Sequence, residues 1–174
     1  MADMEPLVFT ADYVGTPGKR TFFLQARGEE ISHNFLLEKD QVDLLAEKFR
    51  ELLLLIDARD PIAGAQPERD PALALEEVAE PEMRVGSMGL SYDDDADRLI
   101  LFINPVEQET EEAEPVVPEI EGVRLTLRRD QVRAFVLHAI AIVHEGRPIC
   151  QLCGLPMDPE GHKCPASNGH RLTV

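Results

Sequence analysis

Apolar and polar residues alternate along several short stretches of the chain, and this period of two is typical of half-buried β-strands. The stretches are LVFTADYV from Leu7, RTFFLQA from Arg20, ISHNFLLE from Ile31, MRVGSMGLSY from Met83, RLILFINPV from Arg98 and GVRLTLR from Gly122. A short polar break separates the second from the third, and the turn-forming segment DDDAD separates the fourth from the fifth. We therefore expect two β-hairpins with further strands beside them.

The period changes to three and four residues in two longer segments, which predicts two amphipathic helices. The apolar stripes are Val42, Leu45, Phe49, Leu52, Leu53 and Ile56 in the first helix, and Val132, Phe135, Val136, Ala139, Ile140 and Val143 in the second. Asp40 is the predicted N-cap of the first helix. The proline of Asp60-Pro61 ends the first helix, and Gly146 with Pro148 ends the second.

A short internal similarity marks the start of both helices. LEKDQV at 37–42 and LRRDQV at 127–132 each stand where an alternating strand passes into a helix, with the aspartate at the expected cap. Two explanations stay open: a duplicated strand-strand-helix unit, or the convergence of unrelated helix starts on similar caps. Both give the same α+β fold class, an antiparallel sheet with two helices on one face.

Two other segments give weaker signals. Residues 61–81 contain four prolines among acids and alanines, so a short helix from Leu73 to Val78 is the most that they suggest. Residues 107–121 contain seven glutamates and two prolines, which predicts a mobile acidic loop. We expect one α+β body over residues 1–146 and a separate tail over residues 147–174.

Composition sets the class of protein. The chain has 174 residues, 44% hydrophobic, which suffices for one core with a small appendage. Thirty-three acids against 17 Lys and Arg give a formal net charge of -16, which disfavours binding to nucleic acid. No apolar run is long enough to span a bilayer, and the N-terminus lacks the pattern of a signal peptide. We expect a soluble, cytoplasmic protein.

The three cysteines supply the strongest chemical signal, because all lie within fifteen residues of one another. Cys150 and Cys153 have the two-residue spacing that lets one turn direct two thiolates at one ion, and His162 with Cys164 follows beyond a short loop. These four residues form a Cys₃His ligand set for zinc. A closed set of four protein ligands predicts a structural ion and a zinc-ribbon-like tail.

Two alternatives to this site stay open. His170 can replace His162 as the fourth ligand, although its place near the chain end favours His162. A catalytic zinc would need one ligand withdrawn and a general base nearby, for which Asp158 or Glu160 is a candidate. Four-ligand sites of this pattern are more often structural.

The leading functional hypothesis is a non-catalytic binding or adaptor protein that presents the zinc tail to a protein partner. It rests on the closed ligand set and on histidines at 33, 138 and 144 that no serine or cysteine nucleophile accompanies in the sequence pattern. An enzyme, either a metal-assisted hydrolase or a phosphate-handling activity, is the first alternative. A nucleic-acid-binding zinc ribbon is the second, and it is disfavoured because residues 144–174 contain as many acids as lysines and arginines.

Three stretches together resemble a known family. They are GTPGKRTFFLQARGE from Gly15, LEKDQV, and above all CQLCGLPMDPEGHKCPASNGHR from Cys150. They resemble a family of bacterial, chiefly actinobacterial, conserved hypothetical proteins, domain of unknown function 3090, and the resemblance covers nearly the whole chain. The family pattern CPLCGxPLDPxGHxCPRxNGY matches all three cysteines and His162. The resemblance implies genes for a histidine-phosphatase-like and a kinase-like protein nearby, and no established activity.

This chain departs from the family pattern at three positions. Gln151 stands for the usual proline, Ala166 for a basic residue and His170 for tyrosine. The zinc ligands are unaffected by these changes. The loss of the basic residue argues against a charge-dependent contact at that surface.

Overall fold

A computed structural model describes residues 1–16, 19–29, 32–78, 80–106, 122–145 and 150–153, together with Met157 and Cys164. The predicted acidic loop at 107–121 and most of the tail lie outside these residues. The strands are β1 (Ala2–Met4), β2 (Val8–Thr16), β3 (Lys19–Arg27), β4 (Ser32–Leu37), β5 (Met83–Asp93), β6 (Arg98–Pro105) and β7 (Val123–Leu127). The helices are α1 (Lys39–Ile56) and α2 (Arg129–Val143). Within the described part of the chain, neither helix combines the length and the apolar character that a bilayer crossing requires.

The seven strands form one mixed sheet in the order β1-β7-β6-β5-β4-β3-β2. The strands β2, β3 and β4 form one antiparallel meander, and β5, β6 and β7 form another. The α+β class is confirmed, but the sheet is not purely antiparallel, because β4 pairs with β5 and β1 with β7 in parallel. The parallel join at β4 arises because α1 and the long connection after it carry the chain back before β5 begins.

The sheet curves until its two outer strands approach each other. The strands β1 and β2 stand at opposite ends of the strand order, yet only residues 5–7 separate them in sequence. Seven flat strands would place the outer two about 29 Å apart, whereas four residue steps span at most about 14 Å. Gln131 of α2 donates to the carbonyls of Pro6 and Leu7 in this connection, at 2.7 and 2.9 Å.

The apolar faces of the strands and both helices form one core. Phe9 of β2, Phe49 of α1 and Phe135 of α2 meet at its centre, with ring centroids 4.6 to 6.1 Å apart. Aromatic rings at such separations add to the stabilisation that burial provides. The helical stripes predicted from the sequence therefore pack where the period of 3.6 placed them.

The chain follows the same path twice. The first unit consists of β2, β3, β4 and α1, and the second unit consists of β5, β6, β7 and α2, so each contains three strands and not the two that the internal similarity suggested. Equivalent residues make equivalent pairs: Met83 at the start of β5 pairs with Phe35, and Met4 of β1 pairs with Leu125. The strand β1 thus corresponds to the first residues of β5, separated from β2 by a break at residues 5–7.

The helix starts are alike in detail, but the predicted cap is wrong. The N-caps are Glu38 and Arg128, whose φ and ψ angles agree within one degree, at -81° and 154° against -80° and 155°. The backbone N–H of each N-cap donates to the side chain of Gln41 or Gln131, at 2.9 and 3.0 Å. Asp40 lies in the first helical turn, where its charge interacts favourably with the helix dipole.

The connection between the two units covers the outer face of the first. It contains two 3₁₀ turns, Pro61–Ala63 and Pro71–Leu73, in place of the short helix suggested at residues 73–78. Three buried polar side chains of β2 and β3 bond to its backbone: Thr10 to Leu73, Gln25 to Glu76, and Arg27 to Ala72 and Ala74. These bonds satisfy backbone carbonyls of Ala72, Leu73 and Ala74 and the backbone N–H of Glu76, groups that the irregular segment leaves without secondary-structure partners.

Candidate metal centre

The three cysteines lie close together in the structure. The Sγ atoms of Cys150, Cys153 and Cys164 all lie within 4.8 Å of one another, and those of Cys150 and Cys164 are 3.9 Å apart. A disulfide requires a sulfur separation of about 2.05 Å, so these sulfurs are not covalently joined. The sequence prediction that the cysteines cluster around a common point is borne out for these three residues.

A tight turn over residues 150–153 prepares Cys150 for a negative charge. The backbone N–H groups of Cys153 and then Leu152 bond to the Cys150 sulfur, and together they lower the pKa of its thiol below the usual 9.0. Hydrogen bonds to the charged form favour that form. The Cys150 side chain is buried, and Cys153 and Cys164 are partly exposed. The arrangement offers three sulfur ligands, one of them already stabilised as the thiolate, to a metal ion.

The other predicted ligands cannot be placed. His162, the alternative ligand His170, and the candidate bases Asp158 and Glu160 all lie outside the described residues. So does the proposed domain junction at residues 146–147. The Cys₃His composition of the site, and the division into a body and a tail, therefore stay predictions.

The three histidines of the body occupy ordinary packing or surface positions. His33 Nδ1 lies 2.7 Å from Glu82, and His144 Nε2 lies 3.0 Å from Asp43.

His138 is fully buried in α2 and accepts a hydrogen bond from the Asp70 backbone N–H at 3.0 Å. Burial lowers the pKa of His138, against an opposing effect of the nearby Asp12 carboxylate, so the ring is neutral near pH 7.

The structure contains a second polar cluster that the sequence patterns did not predict. Tyr13, Arg20, Arg69 and Glu145 come from two strands, the connection between the units and the end of α2, and their side chains meet beside Asp12. Tyr13 and Glu145 are 132 positions apart, so no local spacing could reveal the contact. The one available signal was the alternation of β2, which places Tyr13 on the apolar side of a strand.

Comparison with known proteins identifies the family and nothing more specific. A family model described as protein of unknown function (DUF3090) matches residues 4–164, so the chain belongs to that family. The family membership expected from the sequence is thereby confirmed, whereas the bacterial, chiefly actinobacterial, origin stays an expectation. No curated protein and no solved structure matches the chain. The match ends at Cys164, so it includes all three clustered cysteines.

Proposed function

We propose that the protein is a non-catalytic binding protein whose tail folds around a structural zinc ion and contacts a protein partner. The observation that carries the proposal is the convergence of the Cys150, Cys153 and Cys164 sulfurs. Zinc bound to thiolates at about 2.3 Å in a tetrahedron places the sulfurs about 3.8 Å apart. The separation of 3.9 Å between the Cys150 and Cys164 sulfurs agrees with that geometry.

Zinc is favoured over other metals by the chemistry of the ligands. Thiolates are soft ligands, which select zinc, copper(I) or iron–sulfur clusters over the hard cations that oxygen ligands bind. We assign the fourth position to His162, two residues before Cys164 in the sequence. Cys₃His ligation closes the coordination sphere, which suits an ion that holds a small segment together. Reduced thiols of this kind persist in the cytoplasm, where we place the protein.

The partner surface is proposed around the turn that carries the first two ligands. Leu152 lies between Cys150 and Cys153 and is 59% exposed. An apolar side chain held outward by a rigid metal-bound turn is a suitable anchor for a protein contact. The strongly acidic chain, with a formal net charge of -16, makes a nucleic acid a poor partner.

Metal content and coordination test the zinc assignment. We expect one zinc per chain by elemental analysis, and X-ray absorption showing three sulfurs and one nitrogen with no oxygen. Cys153→Ser should lose the ion, whereas Leu152→Ser, a change in the same turn at a position without a ligand atom, should retain it. His162→Ala against His170→Ala separates the two candidates for the fourth ligand. An oxygen ligand would instead support the metal-assisted hydrolase.

Partner binding is tested with the same variants. Leu152→Ser should keep its zinc and lose proteins that the wild type captures from the native host. Cys153→Ser should lose both. If both variants capture the same proteins as the wild type, the tail is not the interaction surface.

A further inference from the structure

Three donors converge on one oxygen of the Glu145 carboxylate, two residues after the end of α2. The Tyr13 hydroxyl donates to Oε2 of Glu145, Arg69 Nη1 lies 3.4 Å from the same oxygen, and Arg20 Nη2 lies 3.6 Å from it. We call Tyr13, Arg20 and Arg69 the Tyr13 cradle. Two guanidinium groups and a hydroxyl around one oxygen are a common way to bind the oxygens of a phosphate or carboxylate.

The cradle is held in place without help from Glu145. Both oxygens of Asp12, a carboxylate only 2% exposed, accept from Arg69 Nη2 at 2.9 Å. The Arg20 guanidinium lies 4.2 Å from the centre of the Tyr13 ring, in a cation–π contact. The buried Nε of Arg20 has no hydrogen-bond partner within the described residues. The donors are therefore preorganised, and one of them is not fully used.

The equivalent tyrosine of the second unit shows what is unusual here. Tyr92 corresponds to Tyr13, and its hydroxyl bonds to Asp97 at 2.8 Å and accepts from Arg129 at 2.8 Å. Asp97 lies in the hairpin turn only five residues from Tyr92, so this carboxylate is a permanent local partner. In the first unit the carboxylate comes instead from Glu145, near the other end of the chain, and a second arginine is present.

We infer that the Tyr13 cradle is a binding site for a phosphate group, and that Glu145 occupies it in place of the ligand. The Glu145 side chain is 43% exposed and that of Arg69 is 44% exposed, so the carboxylate can leave and a ligand can enter from solvent. With Glu145 withdrawn, two arginines face the single charge of Asp12. A phosphate dianion offers more charge and more acceptor oxygens than the carboxylate that it displaces.

The position of Glu145 in the chain links the Tyr13 cradle to the segment that contains the cysteines. It stands two residues after the end of α2 and five before Cys150 in the sequence. A phosphate group that displaces Glu145 therefore removes one of the contacts that hold the chain shortly before the cysteine cluster, while the contact of His144 with Asp43 stays in place. The Tyr13 cradle contains none of the clustered cysteines, so phosphate binding there does not depend on whether the cysteines bind zinc.

Calorimetric titration with inorganic phosphate tests the site, at pH 7.5 and with ionic strength held constant by sodium chloride. Glu145→Gln removes the competing negative charge at nearly constant side-chain size. We expect this variant to bind phosphate about tenfold more tightly than the wild type. The reason is that Glu145 blocks the site of the wild type for part of the time, and the apparent affinity is reduced in proportion to the fraction of molecules whose site is open. Asp97→Asn is the matched control: it makes the same charge change beside Tyr92, where the described residues pair one arginine, Arg129, with the carboxylate, and it should bind no better than the wild type.

Further variants and ligands locate and identify the binding. Adding Tyr13→Phe to Glu145→Gln should weaken phosphate binding about threefold or more, because it removes one donor and little else. Phenyl phosphate binding as tightly as inorganic phosphate, or more tightly, assigns the site to a phosphate ester, and weaker binding assigns it to free phosphate; both support the inference. Acetate that binds Glu145→Gln as tightly as phosphate would overturn it. Equal gains for Glu145→Gln and Asp97→Asn, or no gain for either, would also overturn it.

Discussion

The first and second units share a backbone path and an apolar inner face, but their outer faces differ in chemistry. On β2 and β3 the outward residues Thr10, Gln25 and Arg27 are buried under the connection between the units. The equivalent positions of the second unit are Gly89, Phe102 and Asn104, none of which is fully buried within the described structure. The two units therefore share their helix N-caps and their contribution to the core. The burial of the outer sheet face differs between them, because it depends on the segment that packs over that face.

The largest effect should come from the shared core. Phe135 of α2 packs against Phe9 and Phe49, both from the first unit, with ring centroids 4.6 and 5.8 Å away. Phe135→Ala should lower the free energy of unfolding by about 3 to 5 kcal/mol, in a single cooperative urea transition. Leu45→Ala, at the equivalent position of α1, is the control and should cost a comparable amount. Two separate transitions would show that the units are independent cores.

The next effect separates two equivalent positions on the helices. Arg133 of α2 bonds to the buried carboxylate of Asp60 beyond α1, and that hydrogen bond lowers the pKa of Asp60. Arg133→Met leaves the carboxylate with the Ile62 backbone N–H but without its charged partner, and should cost about 2 to 4 kcal/mol. Asp43, at the equivalent position of α1, pairs with His144 beyond α2, but its side chain is 44% exposed, so Asp43→Ala should cost less than about 1 kcal/mol. Equal costs in chemical denaturation would contradict the distinction.

A smaller difference is expected between the two glutamines that tie the units together. Gln131 donates to the carbonyls of Pro6 and Leu7, and Gln41 donates to those of Val85 and Gly86 at longer distances of 3.1 and 3.4 Å. Gln131→Ala should cost about 1 to 3 kcal/mol, because it removes the donor to the buried carbonyl of Pro6. Gln41→Ala should cost about half as much. Thermal unfolding of both variants measures the difference. A larger loss of stability for Gln41→Ala than for Gln131→Ala would contradict the prediction.

The smallest effect is a pH dependence that belongs to one unit only. His138 of α2 is buried with a lowered pKa, whereas the equivalent Lys48 of α1 is exposed. The unfolded chain binds a proton at this histidine below about pH 6.5 before the folded chain does, so stability should fall as the pH is lowered through that region. The slope for one proton is at most about 1.4 kcal/mol per pH unit.

His138→Gln is the control for this effect. It removes the titrating group and keeps an acceptor for the Asp70 backbone N–H. The free energy of unfolding of His138→Gln, measured in urea between pH 7.5 and 5, should fall less steeply with decreasing pH than that of the wild type. Identical slopes would mean that the neighbouring Asp12, Arg69 and Asp70 compensate the charge on His138.

Sequence patterns predicted the helices well and their caps poorly. The apolar stripes of both helices are correct, because a period of 3.6 reports directly which side meets a core. The cap was placed at Asp40 because aspartate is a common N-cap, whereas the structure uses Glu38 with the side chain of Gln41. Residue propensities favour one N-cap position over its neighbours by only a small free energy, so tertiary contacts can override them.

The sequence alone determined the α+β class, the two helices, the internal similarity at LEKDQV and LRRDQV, and the clustering of three cysteines, because each of these depends on residues close together in the chain. Only the tertiary structure decided the parallel pairs of the sheet, the approach of β1 to β2, and the meeting of Tyr13 with Glu145. Strand alternation states which side of a strand is buried but not which strand lies beside it. Contacts between distant residues depend on the free energy of the whole folded chain, which no local pattern records.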